Sequence, residues 1–226
     1  MANRHPFAPG EWYHCFSRGV EKRKVFLNKS DYERFLIYLH VANGKSSVHV
    51  SNITKRAKGL SELLTKSFQD EPLVKIGAFC LMPNHFHIML SENVDGGISL
   101  FMQKVLTGYT MYFNKRYERS GSLFGNTFKS RHVNDDRYLK RVISYIHLNP
   151  AGLAENDWKI GKGDLDKIES YITNYEYSSL GTFLGKSSIL NSFVSSDILE
   201  MFETRTSAKS MLEEAQEYNE EQNIKV

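Results

Sequence analysis

The chain has 226 residues, 41% of them hydrophobic and 24% charged, which excludes a globally disordered polypeptide and leaves room for one sizeable domain or two small ones. A net charge of +3 is too small to mark a nucleic-acid binder by itself, and no window reaches the roughly eighteen apolar residues of a membrane-spanning helix. The stretch Met1–Pro6 lacks the apolar core of a signal peptide, and Cys15 and Cys80 sit in apolar runs at a spacing that matches no metal motif, so a cytoplasmic, reducing setting is expected.

In chain order, Trp12 to Arg18 is rich in aromatics, ends at Gly19 and predicts a first strand. Ser30-Asp31-Tyr32-Glu33 has the form of a capping box, in which the serine hydroxyl takes an early backbone N–H and the glutamate reaches back. The helix it opens turns Phe35, Leu36 and Leu39 inward and closes near Gly44. Residues 43–71 break the rhythm and read as an insertion, with a basic patch at Lys55, Arg56 and Lys58 and a short helix-like run from Leu60 to Phe68. Val74 to Leu81 predicts a strand that turns at Pro83-Asn84 into a second, beginning at His85.

That second strand is the most informative stretch. Its period of two puts His85, His87 and Met89 on one face and Phe86, Ile88 and Leu90 on the other. Two imidazoles about 7 Å apart along a strand can converge on one ion or one phosphate. Taken alone, a His-x-His strand is more often a pair of core-satisfied or solvent-facing histidines. The rest of the chain has to supply partners.

After a loop at Asn93–Gly97, a helix from Ser99 carries Leu100, Phe101, Val105, Tyr109, Tyr112 and Phe113 and stops before Ser120-Gly121. Leu123 to Val133 predicts a fourth strand. From Phe101 to Arg141 nine basic residues stand against three acidic ones, a local charge of +6. Lys104, Lys115, Arg116, Arg119, Lys129 and Arg131 are its candidate phosphate contacts, interleaved with tyrosines suited to stacking bases, and Arg18 on the first strand joins them.

Asp135 and Asp136 open the next helix, where an N-cap and the helix dipole favour carboxylates. Leu139, Val142, Ile143 and Ile146 form its buried stripe. Tyr138, Tyr145 and Asn149 share a side turned about 100° from that stripe, and Pro150 ends the helix at Asn149. A tyrosine and an amide one turn apart can both look into a groove. The element order, with its antiparallel hairpin, predicts an α+β sandwich with helices on one face of the sheet. After Asp197 the chain is expected to be helical through Phe202, and beyond Thr206 polar, a solvated helix or frayed tail with net charge −3.

Several of these stretches, in this order, resemble the IS200-like, REP-associated tyrosine transposases of the HUH superfamily. They are Tyr13-His14 with Ser17-Arg18-Gly19; Phe26 with Asp31–Leu36; Leu81–His87; Tyr109 with Tyr112–Asn114; Gly121–Phe124 with Phe128-Lys129; Tyr145–Leu153; and Tyr177–Leu180. The resemblance spans Trp12 to about Gly185, and Met-Pro-Asn-His-x-His joined to a downstream Tyr-Ile-x-x-Asn-Pro is specific in combination. It implies a ferredoxin-like or RRM-like antiparallel sheet with helices on one face and a domain over residues 11–185, while the insertion at about 43–71 and the C-terminal helical or polar tail over 186–226 are not part of the family's pattern. It further implies His85 and His87 as metal ligands for Mg²⁺ or Mn²⁺, Asn149 as a third ligand and Tyr145 as the nucleophile. Single-stranded DNA with hairpin or palindromic repeats would be the partner, and the protein a monomer or a homodimer. Where the family often has Gly-Arg before the Phe-Lys pair, this chain has Asn126-Thr127.

The chemistry has its own logic. Two neutral imidazoles and an amide oxygen suit a divalent ion with open positions for phosphate oxygens. A tyrosine attacking beside it forms a 5′-phosphotyrosine and frees a 3′-OH, and the ester retains the bond energy for rejoining. Two alternatives stay open at this stage. The chain could be a metal-dependent nuclease using water, or an RRM-like single-strand binder without chemistry.

Overall fold

The computed structural model describes residues 6–46, 62, 71–125, 127–202 and 207–224. Nearly all of the expected insertion, including its basic patch and all but residue 62 of the Leu60–Phe68 run, lies outside the described residues, as does Asn126. The core of the fold runs β1 (Trp12–Arg18), α1 (Lys29–Val41), β2 (Val74–Met82), β3 (His85–Glu92), α2 (Gly97–Arg116), β4 (Lys129–Val133). The strands lie in the order β2-β3-β1-β4 with every neighbour antiparallel. That is the ferredoxin-like, RRM-like arrangement expected from the sequence.

Alternation along the strands divides the sheet into two unlike faces. Tyr13 and Cys15 of β1 join Phe86, Ile88 and Leu90 of β3 in one apolar cluster. α1 and α2 cover that face with Phe35, Leu36, Leu39, Phe101, Val105 and Tyr109. The two helices approach closely where Gly108 meets Tyr38, since a Cβ there would lie 2.4 Å from the tyrosine ring. The other face carries Ala78, Cys80, Met82 and Met89, and on these packs α3 (Asp136–Leu148) through the expected stripe Leu139, Val142, Ile143 and Ile146. Helices on one face therefore holds for α1 and α2 but not for α3, which lies on the opposite face over the β2 side. The small side chains of Ala78 and Cys80 give it room to approach. Asp135 caps α3 as predicted, its Oδ1 accepting the Tyr138 N–H at 2.8 Å.

Three local expectations are corrected. The capping box does not form: α1 starts at Lys29 with Asn28 at the N-cap, and no side chain caps it. Asp31 is fully buried and its carboxylate accepts the Leu27 N–H at 2.8 Å, the Tyr117 hydroxyl at 2.8 Å and the Tyr112 hydroxyl at 3.0 Å. Ser30 falls inside the first turn rather than at the N-cap, and the three hydrogen bonds to Asp31 offset the cost of burying its carboxyl group. The fourth strand is only Lys129–Val133. Leu123, Phe124 and Phe128 enter the α1–α2 core instead, and the backbone there pairs with the turn after β1, Gly125 N–H donating to Arg18 O at 2.9 Å.

The third correction is the tail. Beyond α3 come α4 (Ala151–Ala154), a 3₁₀ turn (Trp158–Ile160), α5 (Leu165–Thr173), α6 (Leu180–Phe183), a second 3₁₀ turn (Ile189–Phe193), α7 (Ser196–Glu200) and α8 (Ala208–Ile224). α8 is no frayed extension. Ala208, Met211 and Leu212 are buried against Leu148, Ala151, Trp158, Ile168 and Ile172, a third cluster beside the C-terminal end of α3. The five glutamates of the tail are spaced so that this narrow stripe survives between them.

Candidate active site

The register of β1 on β3 builds the site. Arg18 lies opposite His85, and Phe16 opposite His87, so all four side chains share the face on which α3 sits. β4 continues the row, with Lys129 opposite Phe16 and Arg131 opposite His14. α3 then delivers Tyr145, 45% exposed, with its ring edge-on to His87 at 5.3 Å and to His14 at 5.9 Å between centroids. Asn149, one turn on, donates Nδ2 to Tyr145 O at 2.8 Å. Strand and helix thus bring His85, His87, Tyr145 and Asn149 together across 64 residues of sequence.

The hydrogen bonds around His85 determine which of its nitrogens carries the proton. Asn84 Nδ2 donates to Lys22 O at 3.2 Å, which turns Asn84 Oδ1 onto His85 Nδ1 at 2.6 Å. The bond from Asn149 Nδ2 likewise fixes its Oδ1, which faces His85 Nε2 at 3.3 Å. An amide oxygen therefore stands at each ring nitrogen, and a neutral imidazole has one proton to give. Burial holds the His85 pKa below its ordinary value, reinforced by the Arg18 charge and opposed by the Asn149 contact. The closer oxygen, of Asn84, favours the tautomer in which Nδ1–H donates to it. Nε2 and Asn149 Oδ1 are then two lone pairs pointed at one place.

Two lone pairs aimed at one place are a donor set that could hold a divalent cation. The His87 ring lies beside that of His85, 5.0 Å away between centroids. Its Nδ1 lies 2.8 Å from His14 Nε2, both rings buried, so a proton on His87 Nδ1 leaves Nε2 free as a ligand atom. Burial, and then the neighbouring His14, His85 and Arg18, push His87 down to about 2; burial and Arg131 lower His14 to about 4. The imidazoles are neutral near pH 7, the form that donates a lone pair. Among the described residues no three His, Cys, Asp or Glu side chains cluster to hold a metal, so an ion here would rely on the Asn149 amide.

A groove of about 1240 Å³ runs past these groups, lined by His85, His87, Tyr145 and Asn149 and by the cations Arg18, Lys22, Lys24 and Lys129. Of the predicted phosphate contacts, Arg18 and Lys129 line it, and Arg131 is exposed on the same sheet face. Lys104, Lys115 and Arg116 ride on α2, across the sheet, and Arg119 follows it. Lys104 Nζ donates to the carbonyls of Gly44 and Ser46, Arg116 to the Tyr112 hydroxyl and Arg119 to Ser122 O, so these three serve the fold. The sequence reading missed His14, Asn84, Phe16, Lys22, Lys24 and Lys159, whose Nζ lies 5.6 Å from the Tyr145 ring centroid. Alternation along β1 could have placed His14 and Phe16 on the histidine face. Asn84 was legible only as a turn residue.

The family model described as "Transposase IS200 like" matches residues 12–149, from the start of β1 to the amide that faces His85. The chain belongs to the IS200-like transposase family. Among solved structures, the IS200-like chain is similar to that of a REP-associated tyrosine transposase bound to a REP hairpin. The TM-score is 0.52 at 12% identity, over 88% of this chain and 93% of that one, a likeness of fold. No curated protein matches the chain. Membership makes this a transposase-family protein that acts on DNA, and among the described residues no helix is long and apolar enough to cross a membrane.

Proposed function

We propose that the protein cuts and rejoins single-stranded DNA through a 5′-phosphotyrosine on Tyr145, with Mg²⁺ or Mn²⁺ held by His85, His87 and Asn149. The observation that carries this is the approach of His85 Nε2 to Asn149 Oδ1, 3.3 Å apart, within one helical turn of an exposed tyrosine whose ring meets His87. When bound, the ion supplies positive charge for the phosphate oxygens and the departing 3′ oxygen. Tyr145 contributes its phenol oxygen as nucleophile; the P–O3′ bond breaks as the P–O(Tyr) bond forms, and the phenol proton ends on the 3′-OH. His14 and Asn84 hold the two imidazoles in the tautomer that leaves Nε2 free, and Arg18 and Lys129 bind the flanking phosphates. A second 3′-OH attacking the phosphotyrosine reverses the step and joins the strand elsewhere.

All four central groups come from one chain, so this reading needs no second copy. The cationic groove suits a strand, and the similar fold bound to a REP hairpin supports hairpin-forming DNA as substrate. A chain of residues 11–185 would carry the chemistry, with α8 packed against it through Ala208, Met211 and Leu212. The test is cleavage of a labelled single-stranded hairpin with Mn²⁺ or Mg²⁺, with chelator, and with a His85→Ala, His87→Ala double variant. Cleavage should require the ion and both histidines. Undiminished cleavage by the double variant in chelator would overturn the reading.

A further inference from the structure

Phe16 is out of place for a packing residue. Among the described residues it is the one phenylalanine that joins none of the three apolar clusters, although it sits in the middle of β1. Its ring neighbours are imidazoles, His14 at 5.0 Å and His87 at 5.7 Å between centroids. It is half-buried and lines the groove. Across the sheet its partner on β4 is the exposed Lys129, with exposed Arg131 two residues further along.

α3 crosses this face through Ala78, Cys80, Met82 and Met89 and reaches Val133 at the far end of β4, and Phe16, outside that cluster, stays half-buried beside the groove. What remains at the groove is an aromatic ring beside Arg18 and Lys129, with Arg131 exposed further along the same face. The cations match a phosphate backbone and repel none of it, while the ring offers a flat apolar surface that water solvates poorly. His14 and His87, the rings Phe16 touches, are also the ones Tyr145 touches, so Phe16 and the nucleophile are separated by one layer of side chains.

Building on the transesterase reading, we infer that Phe16 is a stacking platform for one unpaired nucleobase, next to the phosphate presented to Tyr145. A base within a duplex already has both faces stacked and cannot lie on the ring. A single-stranded base can. The platform therefore selects an unpaired nucleotide at the cut and fixes the strand's slide along the groove, so that one phosphate stands before the tyrosine. The occupant is single-stranded nucleic acid, recognised by the face of a base and by the charge of its backbone.

The test separates this from the chemistry. Binding of a fluorescent single-stranded oligonucleotide is measured in chelator, so that neither ion nor cleavage contributes. Phe16→Leu should bind about 5- to 150-fold more weakly, the range for one base–aromatic stack, and Phe16→Trp within a few-fold of wild type. An abasic nucleotide is then walked through the oligonucleotide. At one position it should weaken wild type by the same factor and leave Phe16→Leu unaffected, the signature of a single shared contact. Mn²⁺ affinity and Tm of Phe16→Leu should match wild type, which a mere support for His87 would not allow. The inference is overturned if Phe16→Leu binds like wild type, if no abasic position removes the difference, if Mn²⁺ affinity falls, or if wild type does not bind the strand in chelator. Failure of the transesterase reading looks different: tight, Phe16-dependent binding with no covalent adduct when Mn²⁺ is restored.

Discussion

His14→Phe is the sharpest probe of the proposed metal site, because it removes one acceptor and little else. His14 Nε2 lies 2.8 Å from His87 Nδ1, and its ring also meets Tyr145 edge-on at 5.9 Å. Phenylalanine keeps that ring contact and loses the nitrogen. The His87 tautomer that binds metal then has a buried N–H without an acceptor, at a cost of about 1–3 kcal/mol. The metal-free protein escapes the cost by moving the proton to Nε2, which faces the groove, so folding should be little changed. Mn²⁺ binding cannot escape it. Loss of such a supporting partner costs about 10- to 100-fold in affinity, or about 1.4–2.7 kcal/mol. Isothermal titration with Mn²⁺ at neutral pH should show that drop for His14→Phe and a smaller one for His14→Gln, whose amide oxygen can accept. Equal Mn²⁺ affinity in His14→Phe and wild type would refute the tautomer argument.

Other consequences are accessible to simple measurements. Leu212 is fully buried in the cluster under α8, so Leu212→Ala should cost about 3 kcal/mol and lower Tm by roughly 6–12 °C; an unchanged Tm would return α8 to the status of a solvated tail. The neutral, buried His14, His87 and His147, lowered to about 4, 2 and 3, resist protons that the unfolded chain accepts below about 6.5. Their contribution to stability is intact above that pH and lost as pH falls, with a slope on the order of 4 kcal/mol per unit near pH 5 for the three together. Urea midpoints of chelator-treated protein that stay flat from neutrality to about pH 5 would contradict this. Lys129→Ala or Arg131→Ala should each flatten the log–log salt dependence of single-strand affinity by about 0.7, with Lys115→Ala, across the sheet, leaving it unchanged. The reverse pattern would move the strand to the α1–α2 side.

The parts of the fold that local pattern governs were readable from the sequence. Period two displayed His85 and His87 against Phe86, Ile88 and Leu90, and the 3.6-residue stripe displayed the buried side of α3 with Tyr145 and Asn149 on its margin. What escaped depends on partners distant in the chain. Ser30 and Glu33 form no capping box because α1 already starts at Lys29, and Asp31 between them bonds Tyr112 and Tyr117, on α2 and just after it, partners the local sequence does not show. Arg116 and Lys104 look like phosphate contacts by charge alone, but sit across the sheet with protein oxygens as partners. α8 looked polar because a stripe of three buried residues is diluted by glutamates. His14 and Asn84, which orient the imidazoles, become meaningful only once strand register and amide orientation are known.

The central claim is that Tyr145 becomes esterified to DNA. Tyr138 opens the same helix, two turns away, and Tyr112 is tied to Asp31 across the sheet, so neither reaches the groups around His85. Wild-type protein, a single-stranded hairpin oligonucleotide and Mn²⁺ should give a covalent species that survives denaturation, with the added mass of the 5′-phosphorylated fragment on the peptide containing Tyr145. Tyr145→Phe should bind the oligonucleotide and form none, while Tyr138→Phe and Tyr112→Phe still form it. An adduct in Tyr145→Phe, or cleavage by wild type that leaves a free 5′-phosphate and never an adduct, would contradict the account.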